Sequence, residues 1–393
     1  VPGRWTSLAG ATAAQVGISY LEQGVAALVP YIKAEFGLSS SVAGLFGTSL
    51  NVGRALAGTL AIAPVSRHGE RRMILVGGFA SGVLALLASV SPTSPLTLLL
   101  LVASGLAQTV SILAGIVAVA VWFRGGGRGI AMGIRQAAVP IAGAIAAASL
   151  PFLALEIGWR HALAVAGGAS IVATVLGALV YRDHGEPAAA PAVGESARAA
   201  LRSVVREPRL ARAVLAGSVL AAGQFVTLAY IQLFLVEDLH ASLRFAALVL
   251  VATQVAGIVG RLAWGAASDI VFGGRRSGVL LAILLLATGG CVGMGLAAEG
   301  QQASVGIPMA VLLGLTTVGS PGVYLALISD LSPPRGGVAA MGVAITFIQG
   351  AALVVPPVFG ALADATDSYR LGWFALAGLL LATVPAVRSI ARG

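Results

Sequence analysis

A chain of 393 residues that is 58% apolar and only 10% charged cannot fold as an ordinary water-soluble domain, in which about a quarter of residues carry charge. The single cysteine, Cys291, excludes an intrachain disulfide and argues against a cysteine-based metal centre. A formal net charge of +9 would suggest nucleic acid for a soluble protein, but here the arginines sit between long apolar runs, so no nucleic-acid partner is expected.

Taken in order, the apolar runs predict twelve spans: 8–31, 41–65, 73–91, 95–122, 129–154, 161–181, 211–235, 243–268, 278–298, 305–330, 337–363 and 371–389. Each is near the length of about 20 residues that crosses a bilayer as a helix, and none alternates as a barrel strand would. The expected fold is therefore an all-α integral membrane protein. Its 52 glycines suit close helix packing in lipid. No short apolar run with a cleavage site precedes the first span, so no removable signal peptide is expected. The longest polar stretch, 182–210, divides two six-span bundles, 1–181 and 211–393. Within it, Ser196 to Arg206 reads as an arginine-bearing helix at the membrane surface.

Basic residues give the sidedness. With both termini in the cytoplasm, that face holds Arg4, Arg388 and Arg392 at the ends, Arg67, Arg71, Arg72, Arg124 and Arg128 in the first loops, and Arg182, Arg198, Arg202, Arg206, Arg209 and Arg212 in the linker. Arg275, Arg276 and Arg335 complete it. The opposite face holds Lys33, Arg160, Arg244 and Arg370. This bias predicts a multi-pass protein of a bacterial-type inner (plasma) membrane with cytoplasmic termini.

The two halves repeat. Gly53-Arg54-x-x-x-Gly58 returns as Gly260-Arg261-x-x-x-Gly265, and Gln15 and Gln23 return as Gln224 and Gln232. Arg128 to Gly133 resembles Arg335 to Gly342, and Gly158-Trp159 resembles Gly372-Trp373. Two parallel six-span repeats are the plan of a transporter whose site lies at the repeat interface. At this point the chain resembles the major facilitator superfamily over essentially its whole length. The resemblance rests on a loop pattern, roughly G-x-x-x-D-R-x-G-R-R, found here as Gly265-Ala-Ala-Ser-Asp269 with Gly273-Gly-Arg275-Arg276. The first-half copy has Ser66 in the aspartate's place, followed by Arg67, Gly69, Arg71 and Arg72. In that family the loop is a cytoplasmic latch, which implies a gate at Asp269, Arg275, Arg276, Arg67 and Arg71, with Arg135 able to pair there.

Charges inside spans are costly and mark function by default. Four stand out: Glu22, Arg54, Arg135 and Arg261. One acid offsets only one of three arginines, and the remaining positive charge would attract anions. An arginine fork also suits a carboxylate. The expected substrate is thus a small organic anion, a monocarboxylate or related carboxylate, bound by Arg261 and Arg54. The resemblance adds that monocarboxylate transporters and the oxalate:formate exchanger place a substrate arginine in the eighth span, matched by Arg261. Nitrate porters pair arginines of the second and eighth spans, matched by Arg54 and Arg261. Polar residues of spans that face the cavity in the family, Gln15, Tyr20, Gln224, Tyr230 and Tyr324, are expected contacts; Asn51 and Gln108 are further polar positions within spans.

Glu22 is the candidate proton-coupling group, with a permanent ion pair to Arg54 or Arg135 as the alternative reading. A permanent pair would favour exchange or uniport; an acid balanced between burial and an arginine, able to exchange a proton as substrate arrives, would favour symport. Other functions left open are a proton-coupled drug or metabolite exporter, an inorganic oxyanion porter and an anion exchanger. The chain has no H-E-x-x-H and no nucleotide-binding loop, so neither an enzyme nor a cofactor nor a metal is expected. The expected partners are the small anion, a proton and the bilayer, in a monomer.

Overall fold

The computed structural model describes residues 2–38, 40–124, 126–182, 197–300, 303–332 and 337–391, and every regular element among them is helical. In chain order they are α1 (Pro2–Phe36), α2 (Ser40–Ala57), α3 (Ile62–His68), α4 (Glu70–Ser89), α5 (Ser94–Trp122), α6 (Arg128–Ile157) and α7 (Trp159–Val180). The linker contributes α8 (Ala197–Arg206). Then follow α9 (Pro208–Glu237), α10 (Leu243–Ile270), α11 (Arg276–Gly300), α12 (Ala303–Leu313), a π-helical turn (Gly314–Val318), α13 (Pro321–Leu331), α14 (Gly337–Thr366) and α15 (Arg370–Ala391). The linker residues 183–196 and the turn at 333–336, including Arg335, lie outside the described residues.

Ten of these segments are long and apolar enough to cross a membrane, among the described residues. The first two spans are helical but fall below that threshold. Their sequences carry Gln15, Glu22, Gln23, Asn51 and Arg54, so the polar groups that lower their hydropathy are the candidate functional ones. Large apolar side chains such as Leu99, Leu155 and Ile270 are exposed, as lipid-facing positions must be.

Two spans expected as continuous helices are interrupted. The second span breaks at 58–61 before resuming as α3. Pro64 has no N–H to return to Leu60 and stands in the first turn of the new helix, where that N–H would have no intrahelical partner. The tenth span passes through the π turn and restarts at Pro321 for the same reason.

The residues cluster into two compact units. One comprises Val1–Gly125, Arg135–Val204 and Ser332–Thr346; the other comprises Gly126–Ile134, Val205–Leu331 and Phe347–Gly393. In the first, α4 packs on α5 and α7, α1 on α7, and α2 on α5. Its core takes Leu21, Val25, Leu28 and Ile32 from one face of α1, spaced four, three and four residues apart as a helix face requires. Against them lie Phe46 and Leu50 of α2, Leu150 of α6 and Leu163 of α7.

In the second unit α11 packs on α15, and α10 on the π turn. Here Phe234, Phe359 and Trp373 meet edge to face, with Tyr230 and Tyr369 beside them. The Asp238 carboxylate accepts from the Ser368 hydroxyl at 2.8 Å and the Tyr369 N–H at 3.0 Å, which ties the end of α9 to the start of α15. The Tyr369 phenol donates to Glu237, and burial together with that acidic neighbour holds its pKa above the ordinary tyrosine value.

Candidate functional site

In the first unit the fourth residue of the Asn51-Val-Gly-Arg54 turn faces α1. Arg54 Nη1 donates to Glu22 Oε2 at 2.6 Å, and Nη2 donates to both Glu22 Oε1 and Asn51 Oδ1. The ion pair is two-pronged and nearly closed to solvent. Two charges withdrawn from water repay their desolvation only with such geometry and with added hydrogen bonds, which Asn51 supplies from the preceding turn of its own helix. Glu22 and Arg54 are therefore partnered with each other in this structure.

Arg135, on α6, lies 1% exposed in the same unit. Its Nη2 donates to Gln15 Oε1 at 2.6 Å and to the Ile112 carbonyl at 3.2 Å, and its Nη1 to Gln136 at 3.3 Å. No carboxylate lies within ion-pair distance of it among the described residues. Gln15 also donates to Ser19 at 3.0 Å. Tyr20 shares a 2.9 Å hydrogen bond with Ser149 of α6.

In the second unit Arg261 is 2% exposed on α10, and its Nε donates to the Val318 carbonyl at 2.9 Å. A π turn displaces the backbone hydrogen-bond register and leaves carbonyls in need of other donors. Arg261 serves one of them. Trp264, three residues along the same helix face, serves Leu315 at 2.8 Å. The irregular turn thus holds the Arg261 guanidinium by its Nε–H. Replacing Trp264 by phenylalanine orphans the Leu315 carbonyl, and a loss of about 1–3 kcal/mol is expected, read as a lowered unfolding temperature in detergent. Tyr324 of α13 is buried within electrostatic reach of Arg261. Tyr230 instead donates to the Pro356 carbonyl at 2.9 Å, and Gln224 is half-buried on α9.

The loop pattern builds a charged cluster. Asp269 Oδ2 accepts from the Ile130 backbone N–H at 2.9 Å, while Oδ1 accepts from Arg276 Nη2 at 3.2 Å. Ile130 is the third residue of α6, so Asp269 caps one of the four N–H groups a helix start leaves unsatisfied, at its positive end. Arg276 also reaches Asp330 at 2.5 Å, and Arg128 donates to the same carboxylate. Close approach is set by glycine: a Cβ at Gly265 would stand 2.5 Å from the Gly129 carbonyl oxygen. Asp330 and Arg128 were missed as members of this cluster by sequence reasoning. Asp330, in Ser329-Asp-Leu-Ser332 at a span end, reads as one more solvated loop acid. Its only signal is its position just before the Pro333-Pro334 turn that opens the repeat of Arg128 to Gly133.

Arg275 and Arg67 are exposed, Arg71 Nε donates to the Ala178 carbonyl at 2.8 Å, and Arg135 lies in the buried position described above. In the first unit, the related contact between the start of α14 and the second span is built of small groups: a Cβ at Gly58 would meet the Gly342 carbonyl at 2.7 Å and the Thr346 hydroxyl at 2.2 Å. Ser66, where an aspartate would complete the pattern, bonds its own helix at the Ala63 carbonyl.

Comparison with known proteins agrees with this architecture. The model of the Major Facilitator Superfamily matches residues 11–236 and 213–390. An uncharacterized MFS-type transporter of Mycobacterium tuberculosis (strain CDC 1551 / Oshkosh) is 28% identical over 98% of this chain and 85% of its own. The probable sulfoacetate transporter SauU of Cupriavidus necator is 24% identical over 93% of this chain and 88% of its own. Among solved structures, the E. coli fucose:proton symporter FucP superposes with a TM-score of 0.76 at 17% identity, over 96% of this chain and 98% of that one. With twelve helical spans in a 6+6 plan and a family match along nearly its whole length, the chain belongs to the Major Facilitator Superfamily and is a multi-pass membrane transporter.

Proposed function

We propose that this transporter carries a small organic anion bearing a carboxylate, by alternating access and with a proton, across a bacterial plasma membrane. The observation that carries the reading is the Glu22–Arg54 pair: Arg54 already presents its fork to a carboxylate inside the membrane. A substrate carboxylate fits the same fork. When it takes Arg54, Glu22 loses its counter-charge in a poorly hydrated setting and takes up a proton, so anion and proton travel together. The 24% identity to a probable sulfoacetate transporter supports an anionic substrate. In this reading Arg261 is a second substrate arginine, with Gln15, Tyr20, Gln224, Tyr230 and Tyr324 as polar contacts. The cluster of Asp269, Arg276, Asp330 and Arg128 is the cytoplasmic latch, with Arg67, Arg71 and Arg275 as outlying basic groups. The functional halves are 1–181 and 211–393, joined by 182–210, with both termini in the cytoplasm, and the protein acts as a monomer.

The test is uptake by proteoliposomes of labelled acetate, lactate, oxalate, sulfoacetate and nitrate, with a cationic dye beside them. Saturable uptake of a carboxylate, lost in Arg261→Ala, is the expected result. Transport of the dye alone, unchanged in Arg261→Ala, would replace this reading with drug export. Exchange is favoured over symport if uptake requires anion inside the vesicle and ignores a pH gradient, an outcome the closed Glu22–Arg54 pair also permits.

A further inference from the structure

The linker helix α8 carries a surface that transport leaves unused. Its residues, Ala197–Arg206, hold three arginines and no acid. At about 100° per residue, Val204, Leu201, Val205, Arg202 and Arg206 follow one another in that order around the helix. Val204 is buried at 3% exposure, while Leu201 and Val205 stand 40% and 64% exposed. Arg202 and Arg206 are exposed as well. Two exposed apolar side chains alone are ordinary on a protein surface. Bordered by arginines and set beside a membrane, they form the surface of a helix lying in a headgroup layer.

The chain ties α8 to the bilayer. Glu207 is extended, at φ −100° and ψ 95°, so α8 stops there and α9 starts anew at Pro208. That next helix is long and apolar enough to cross the membrane. All of α8 therefore lies within little more than its own length, about 15 Å, of the end of a span.

We propose that α8 docks on an anionic phospholipid surface, with Leu201 and Val205 against the upper acyl chains and Arg202 and Arg206 on the phosphates. Charge selects the lipid. The long arginine stems carry their guanidinium groups out to phosphate while the shorter apolar side chains sink. A zwitterionic headgroup brings its own cation and neutralises two arginines poorly, whereas an anionic one brings net negative charge. The proposal does not depend on the transported species.

The reporter is Val205→Cys carrying an environment-sensitive fluorophore; the native Cys291 is buried, so the label goes to α8. The full chain is placed in nanodiscs of phosphatidylcholine alone or with phosphatidylglycerol added. Blue-shifted emission is expected only with phosphatidylglycerol, and it should fade in high salt. Arg202→Gln with Arg206→Gln should lower the ratio of docked to free helix by roughly 30-fold, whereas Arg202→Lys with Arg206→Lys should keep it. Both positions are exposed, so these variants leave the packed interior intact. Equal emission in the two lipids overturns the proposal and leaves the apolar pair to a protein partner. A phosphatidylglycerol shift undiminished in the glutamine pair overturns the role of the arginines. The same shift produced by inorganic phosphate in phosphatidylcholine nanodiscs would assign them to a free anion, against a lipid surface.

Discussion

Arg54→Gln is expected to lose transport entirely and to unfold more easily, by about 3–5 kcal/mol, because it leaves Glu22 buried without its cation. Glu22→Gln alone should destabilise by a similar order, since it strands Arg54. The informative variant is the double substitution, Glu22→Gln with Arg54→Gln. Two neutral amides can bond each other, so most of the lost stability should return while transport stays absent. Unfolding temperatures of the four proteins measure the coupling directly. If both single variants were as stable as wild type, the pair would be incidental, and the role given to Arg54 would lose its basis.

The second large effect is expected at Asp269. Asp269→Asn keeps the side-chain shape but removes the charge that holds Arg276 and the start of α6. A hydrogen bond to a charged group contributes about 1.5–3 kcal/mol. Losing about 2 kcal/mol corresponds to roughly a 30-fold rise in the population with this contact open. Hydrogen exchange at the Ile130 amide reports that opening, because its N–H is the one Asp269 caps. Exchange should quicken by about that factor while amides in α4 stay unchanged. A uniform increase across the first unit would instead signal general destabilisation. Gly265→Val, which forces a branched side chain against the Gly129 carbonyl, should give the same local opening by a steric route.

Much of this was legible because membrane sequences have strict grammar. Apolar length gives the helices, and Gly-Arg-x-x-x-Gly at 53–58 and 260–265 reveals the duplication before any coordinate is seen. The Asp269 to Arg276 loop announces itself by its glycines and charges. The partners of those residues were harder to read. Glu22 had two possible arginines, and only the packing of α1 against α2 places Arg54 on it. Arg135 and Gln15 stand 120 residues apart, and no local spacing joins them. Asp330 drew no assignment from the sequence because its role depends on Arg128, 202 residues earlier. The break at 58–61 was hidden by an unbroken apolar run, in which Pro64 was the one local sign.

Proton movement on substrate binding tests the central claim most directly. Purified protein in weakly buffered detergent, with a pH-sensitive dye, is mixed with each small carboxylate or sulfonate and the protons taken up are counted. The account predicts about one proton absorbed per bound anion in wild type and none in Glu22→Gln. Binding of the anion with no proton uptake, or the same uptake in Glu22→Gln, would contradict it.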